Sequence, residues 1–259
     1  CTMCGICGYI YLDKSKSASR DILKKMMDTL IPRGPDDEGA FLKDNVALGH
    51  RRLSIIDLET GHQPIFNEDG SIVIVYNGEV YNFPELKSAL IQRGHRFKTH
   101  SDTEAIVHAY EEYGEACVKY FNGMFAFAIW DSRREVLFLA RDRFGKKPLY
   151  YAIFDNQFVF GSELKSLLKH PSVRREIDFP SLAKYLAYDY VPSPHSIFKN
   201  IYKLEAASTL TLQYGKLKKE RYWDLPHSRG RRLDDSLRFD LKETKIRLTE
   251  ILKEPVRKR

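Results

Sequence analysis

The 259-residue sequence has few cysteines, no long apolar run and no phosphate-binding glycine loop. A membrane-spanning helix needs about 18 or more consecutive apolar residues, and no such stretch occurs. The N-terminus lacks a basic segment followed by an apolar one, so no secretory signal is read and the expected compartment is the cytoplasm. Of four cysteines, three cluster at the front (Cys1, Cys4, Cys7) and Cys117 stands far downstream, which is not the pattern of a secreted disulfide scaffold. The Cys-x-x-Cys-x-x-Cys run has no neighbouring fourth thiol and no His-x-x-x-His to complete a metal set, so no metal is expected. A Gly-x-x-x-x-Gly-Lys-Ser/Thr loop is missing as well.

What is present suits a globular enzyme: 43% hydrophobic residues and 12% aromatics. The formal net charge of +7 invites a nucleic-acid reading until it is mapped. From His227 onward there are 11 Lys/Arg against 6 Asp/Glu, so most of the excess lies in that segment, as on a solvated helix face. No nucleic-acid partner and no membrane partner are expected.

Apolar periodicity predicts a helix over 20–31, with Ile22, Met26 and Leu30 on one stripe. Buried strands are expected at Val46–Leu48 continuing into Leu53–Ile56, at Ile72–Tyr76 and at Met124–Trp130. Val136–Ala140 folds back on the last of these, and a second hairpin joins Leu149–Phe154 to Phe158–Phe160 through Asp155-Asn156. Asn82 before Phe83-Pro84-Glu85 reads as a helix cap, and Ser101 with Glu104 reads as a capping box. Further helices open near Gly161–Lys165 and Asp178–Ser181. Hairpins with segregated helices predict an α+β fold. After Trp223 the texture turns polar and basic, and Leu237, Leu241, Leu248 and Leu252 then recur at helical spacing. Pro255 should interrupt that last helix.

Several motifs carry groups suited to acyl transfer from a free amino acid: a nucleophile, oxyanion donors, a cation and anions. Cys4 follows a methionine. Once that methionine is removed, the α-amino group of Cys4, ordinarily titrating at about 7.7–8, can take the thiol proton. Arg33-Gly-Pro-Asp-Asp37, His50–Asp57, Tyr76–Asn82 and His100–Glu104 follow. Each residue also has a plainer reading. Asp102 in a first helical turn favours the dipole anyway, Asn77-Gly78 suits a turn, and Arg52 and Glu79 suit surface pairs.

Met3-Cys-Gly-Ile6, Arg33-Gly-Pro-Asp36, Arg52-Leu-Ser-Ile55, Tyr76-Asn-Gly-Glu79, Ser101-Asp-Thr-Glu104, Phe121–Phe127 and Ala140-Arg-Asp-Arg-Phe-Gly145 together resemble class II glutamine amidotransferases. With Lys147-Pro-Leu-Tyr150 and Gly161–Lys165 they resemble the glutamine-hydrolysing asparagine synthetases in particular, over residues 3 to 225. The resemblance implies an α+β, four-layer αββα sandwich of two antiparallel sheets, of the N-terminal-nucleophile hydrolase type. It implies Cys4 as nucleophile, Asn77 and Gly78 as oxyanion donors, and Arg52 on the substrate α-carboxylate. Glu79 and Asp102 would hold the α-ammonium, and Leu53, Ser54, Ile55 and Ile56 would line the glutamine pocket. The organisation expected is an amidotransferase domain over 3–225, a linker over 226–236 and the first helix of a truncated synthetase domain over 237–259.

The partners implied are glutamine, the missing synthetase domain and a possible second copy in a homodimer. No cofactor is implied for the glutaminase part; ATP and Mg²⁺ belong to the missing domain, whose Ser-Gly-Gly-x-Asp-Ser run is not found here. Alone, the chain is expected to release ammonia without making asparagine. Two further readings stay open: an amidotransferase with another carboxylate acceptor, and a catalytically silent glutamine-binding domain. Cys1 and Thr2 precede Met3, so the mature chain is expected to begin at Cys4. Pro32 and Glu205-Ala-Ala-Ser208 depart from the family's usual His and Pro-Gly at those places.

Overall fold

The structure is a computed structural model that describes residues 3–54, 61–225 and 241–257. Two six-stranded antiparallel sheets form its centre. The first runs β10-β8-β9-β1-β3-β2, built from β1 Gly5–Tyr11, β2 Asp37–Lys43, β3 Val46–Arg52, β8 Tyr150–Phe154, β9 Gln157–Gly161 and β10 Ile201–Lys203. The second runs β12-β11-β7-β6-β5-β4, from β4 Ile65–Phe66, β5 Ile72–Val80, β6 Gly123–Asp131, β7 Val136–Arg141, β11 Ser208–Gln213 and β12 Lys216–Arg221. Helices α1 Arg20–Asp28 and α4 Leu164–Leu167 cover the first sheet, and α2 Phe83–Gln92 and α3 Asp102–Tyr113 cover the second. This is the expected four-layer sandwich. Helix α5 Phe179–Tyr188 follows the first sheet's hairpin.

Strand alternation explains the layers. In β1, Ile6 and Ile10 point between the sheets, where they meet Val46, Leu48, Val73, Val75, Ala126 and Ala128. Cys7 and Tyr9 point the other way, onto Leu23, Met26 and Met27 of α1. On the far side, Ile72, Ile74 and Tyr76 of β5 pack against Ile106, Val107 and Tyr110 of α3. The three clusters leave most apolar side chains of both sheets buried.

Several local expectations need correction. Strand β3 ends at Arg52 and does not continue through Leu53, because the Leu53 amide turns to Cys4 Sγ and the Ser54 amide to Asp36. Asn77-Gly78 is no turn: β5 runs straight through it to Val80. Helix α1 stops at Asp28. Ser101 caps α3 by accepting from the Thr103 amide at 3.1 Å, but Glu104 does not return the bond. Its carboxylate instead takes the amides of Lys98 and Thr99 at 2.8 and 2.7 Å. Asn82 precedes α2 without capping it; its side chain ties the Tyr120 carbonyl and the Asn122 amide.

Residues up to Trp223 form one compact unit, and a second begins at Asp224. Its described part is an amphipathic helix, α6 Leu241–Arg257, which runs through Pro255 where an interruption was expected. Only the last turn lies beyond that proline, so few helical hydrogen bonds are at stake. The whole of the expected linker over 226–236, with Leu237, lies outside the described residues. Among the described residues no helix is long and apolar enough to cross a membrane.

Candidate active site

The inter-sheet apolar layer gives way to polar groups at one end of the sandwich. The parity that buries Ile6 also turns Cys4 inward, and the parity of Val46 and Leu48 turns in His50 and Arg52. On the facing sheet, Asn77 and Glu79 continue the row of Val73 and Val75, and Met124 continues that of Ala126. The N-terminus of α3 adds Asp102. Together they wall a cavity of about 200 Å³ lined by Cys4, Arg52, Leu53, Asn77, Gly78, Glu79 and Asp102. That is below the ~300–1,000 Å³ of drug-sized ligand pockets, so it suits something as small as one amino acid.

Cys4 is held from several sides. Its sulfur lies 3.3 Å from the Leu53 amide, which donates to it. Arg33 Nε donates to the Cys4 carbonyl at 3.0 Å, while Arg33 Nη1 pairs with Glu163 at 3.1 Å. Ser162 brackets the next residues: its hydroxyl accepts from the Ile6 amide at 3.0 Å, and its amide donates to the Ile6 carbonyl at 2.8 Å. Burial pushes the thiol's pKa up, and the Leu53 amide, Arg52 and Lys147 pull it back down. Cys7, by contrast, is wholly buried among apolar side chains, and Cys117 likewise.

Lys147, which opens the Lys147–Tyr150 motif and has no role by resemblance, reaches the cavity wall. Its loop is built by its predecessors. Asp142 accepts the amides of Phe144, Lys146 and Lys147, and the Arg141 guanidinium binds the carbonyls of Gly145 and Lys147 at 2.7 Å each. The ammonium ends 3.0 Å from Met3 Sδ. Burial lowers its pKa, against the attraction of Cys4 and Glu79.

The opposite wall is anionic. Asp102 Oδ2 accepts from the Tyr76 hydroxyl at 2.7 Å and from the Val80 amide at 2.9 Å. Burial still leaves the Asp102 carboxyl raised above its ordinary pKa, so the two donors offset only part of the desolvation. Gln63 fixes Tyr76 in turn, accepting from its amide at 2.7 Å and donating to its carbonyl at 3.2 Å. Asn77 is buried, and its Nδ2 has no hydrogen-bond partner. An unpaired buried amide costs about 1–3 kcal/mol, which makes it a donor waiting for an acceptor. Gly78 has no room for a side chain, since a Cβ would lie 2.3 Å from the Met124 carbonyl oxygen.

Of the residues expected at the pocket, Cys4, Arg52, Leu53, Asn77, Gly78, Glu79 and Asp102 converge. Ser54 does not line the cavity; its amide serves the Asp36 carboxylate at 2.8 Å. Ile55 and Ile56 lie outside the described residues. The cavity also takes in Gln63, Tyr76, Thr103, Met124 and Lys147, to which the sequence assigns no role. Tyr76, Thr103, Met124 and Lys147 belong to the motifs that carry the family resemblance, which is their signal in the sequence; Gln63 has none.

Comparison with known proteins places this arrangement. The glutamine amidotransferase domain family matches residues 3–223. Asparagine synthetase [glutamine-hydrolyzing] 2 of Bacillus subtilis is 44% identical over 232 residues, covering 86% of this chain and 31% of that protein. Asparagine synthetase [glutamine-hydrolyzing] 3 of the same organism is 40% identical over 226 residues, covering 86% of this chain and 37% of the relative. The chain thus spans about a third of the length of these relatives. Glutamine phosphoribosylpyrophosphate amidotransferase from B. subtilis superposes with a TM-score of 0.59 at 20% identity, covering 85% of this chain and 49% of that one, and so shares the fold. The chain belongs to the glutamine amidotransferase domain family and is homologous to the glutaminase part of the glutamine-hydrolysing asparagine synthetases.

Proposed function

We propose that this domain hydrolyses glutamine to glutamate and ammonia through Cys4. The thiolate attacks the side-chain amide carbon, and the tetrahedral oxyanion is met by Asn77 Nδ2 and the Gly78 amide. The C–N bond then breaks, ammonia leaves with the proton taken from the thiol, and a glutamyl thioester remains. Water attacks the thioester through a second oxyanion, releasing glutamate and restoring the thiol. The α-amino group of Cys4, freed by removal of Met3, carries the proton in both halves. Arg52 offers a fork for the α-carboxylate, and Glu79 and Asp102 hold the α-ammonium. Leu53 packs beside the substrate and, through its amide, steadies the sulfur.

The observation that carries this reading is the unpartnered Asn77 Nδ2 in the wall of a cavity that also holds the Cys4 sulfur. Cations on one side and carboxylates on the other complement a zwitterionic amino acid. We further read the ammonia as destined for a synthetase region that activates aspartate with ATP and Mg²⁺ in a cytoplasmic protein; the glutaminase chemistry itself calls on no cofactor.

The test is glutamate and ammonia formation from glutamine by the chain beginning at Cys4. Cys4→Ala should abolish both products. Asn77→Ala should lower kcat by about 10²–10³ with KM changed only a few-fold. Undiminished turnover by Cys4→Ala would overturn the reading.

A further inference from the structure

Far along α3 from Asp102, four side chains from three segments aim at one point. They are Glu68 after β4, His95 after α2, and His108 and Glu111 of α3; one ligand atom from each lies within 4.8 Å of all the others. Glu68 Oε1 lies 3.3 Å from His95 Nδ1, and its other oxygen, Oε2, lies 3.2 Å from His108 Nδ1. Glu111 Oε2 is 3.9 Å from each of those nitrogens. In a tetrahedron with zinc–ligand bonds of about 2.0–2.1 Å, neighbouring ligand atoms stand ~3.3–3.4 Å apart, so the four atoms, now within 4.8 Å of one another, must draw together by side-chain rotation to hold an ion.

His108 is 99% buried, and neither ring nitrogen makes a hydrogen bond of acceptable geometry. Glu111 Oε2 is buried and unpartnered too, while its Oε1 is held by Asn67 Nδ2 at 3.0 Å. Glu68 is anchored by the Arg96 amide at 3.0 Å. The outer ring nitrogens have carboxylates of their own: His95 Nε2 faces Glu112 at 3.5 Å and His108 Nε2 faces Glu104 at 3.6 Å. A histidine that ligates through one nitrogen and offers the other to a carboxylate is the usual orienting arrangement in zinc sites. A plain ion-pair network accounts less well for a buried imidazole with both nitrogens unbonded.

We propose that Glu68, His95, His108 and Glu111 form a structural Zn²⁺ site. Four protein ligands leave no open position, so the ion has no part in hydrolysis. It fastens the β4–β5 turn and the α2–α3 loop to the helix whose N-terminus presents Asp102.

The experiment is a titration of chelator-treated chain with Zn²⁺ alone, followed by calorimetry and thermal unfolding, with Co²⁺ as a spectroscopic substitute. The expected result is one ion per chain, a raised Tm, and visible Co²⁺ bands of tetrahedral intensity. Glu68→Gln, at the most exposed ligand, and His95→Gln should each weaken binding by at least about tenfold while the apo chains still fold. No saturable binding would overturn the proposal. Binding that these two variants leave intact would do so as well, since the ion would then sit elsewhere, for instance on a thiol.

Discussion

The Tyr76 hydroxyl donates to Asp102 Oδ2 at 2.7 Å, joining a buried strand residue to the first turn of α3. Tyr76 thereby holds the carboxylate proposed to grip the substrate ammonium. Tyr76→Phe leaves the Val80 amide in place and removes the hydroxyl donor, so the already raised Asp102 pKa climbs further. A charged hydrogen bond is worth about 1.5–3 kcal/mol. The expected outcome is a glutamine KM raised about tenfold, most strongly at acid pH, with kcat within about threefold; steady-state kinetics across pH checks it.

Lys147 bears on the sulfur. Its positive charge, with that of Arg52, draws the Cys4 thiol's pKa down against burial. Lys147→Gln removes one of these charges, so thiolate forms at higher pH. The acid limb of the kcat/KM profile should move to more alkaline pH, and the rate of alkylation of Cys4 should show the same displacement. An unmoved limb would remove Lys147 from the account.

His50 predicts a stability profile. It is wholly buried, and burial pushes its pKa down to about 3 from an ordinary 6.5. Between those values the unfolded chain binds a proton that the folded chain refuses, so stability falls as pH drops from about 6.5 towards about 3. The loss amounts to a few kcal/mol at most. His50→Gln should flatten the slope of unfolding free energy against pH between about 5 and 6.5. His170, lowered to about 4, sustains a residual slope of nearly the same size over that window, so the substitution removes about half of what the two histidines contribute together. Denaturant titrations at several pH values measure this.

The sandwich and most of its pocket were legible because strand parity and motif order carry them. Alternation in Val46–Arg52 and Ile72–Val80 puts Arg52, Asn77 and Glu79 on the inter-sheet face without further information. The hairpin at Asp155-Asn156 was legible too, since both residues take positive φ, +48° and +58°. Other features depend on partners distant in the chain. Nothing near Asn82 indicates that its amide bonds residues 120–122, and nothing near Glu104 that it serves Lys98 and Thr99. The role of Gln63 rests on a bond across 13 positions to Tyr76, and Lys147 reaches the site only because Asp142 coils its loop. Within Glu205-Ala-Ala-Ser208, Ala207 sits at φ +55°, a conformation a glycine takes without strain, and nothing in the local sequence indicates it.

In the mechanism proposed above, the sulfur of Cys4 acts with its own uncapped nitrogen as base. In the structure Met3 lines the cavity and its sulfur meets Lys147, so its removal opens space beside the thiol as well as freeing the amine. The most direct measurement is ammonia release from glutamine by a chain beginning at Cys4 and by one that retains Met3. The account predicts turnover in the first and a kcat/KM lower by at least about 10²-fold in the second. Equal values for the two chains would contradict it.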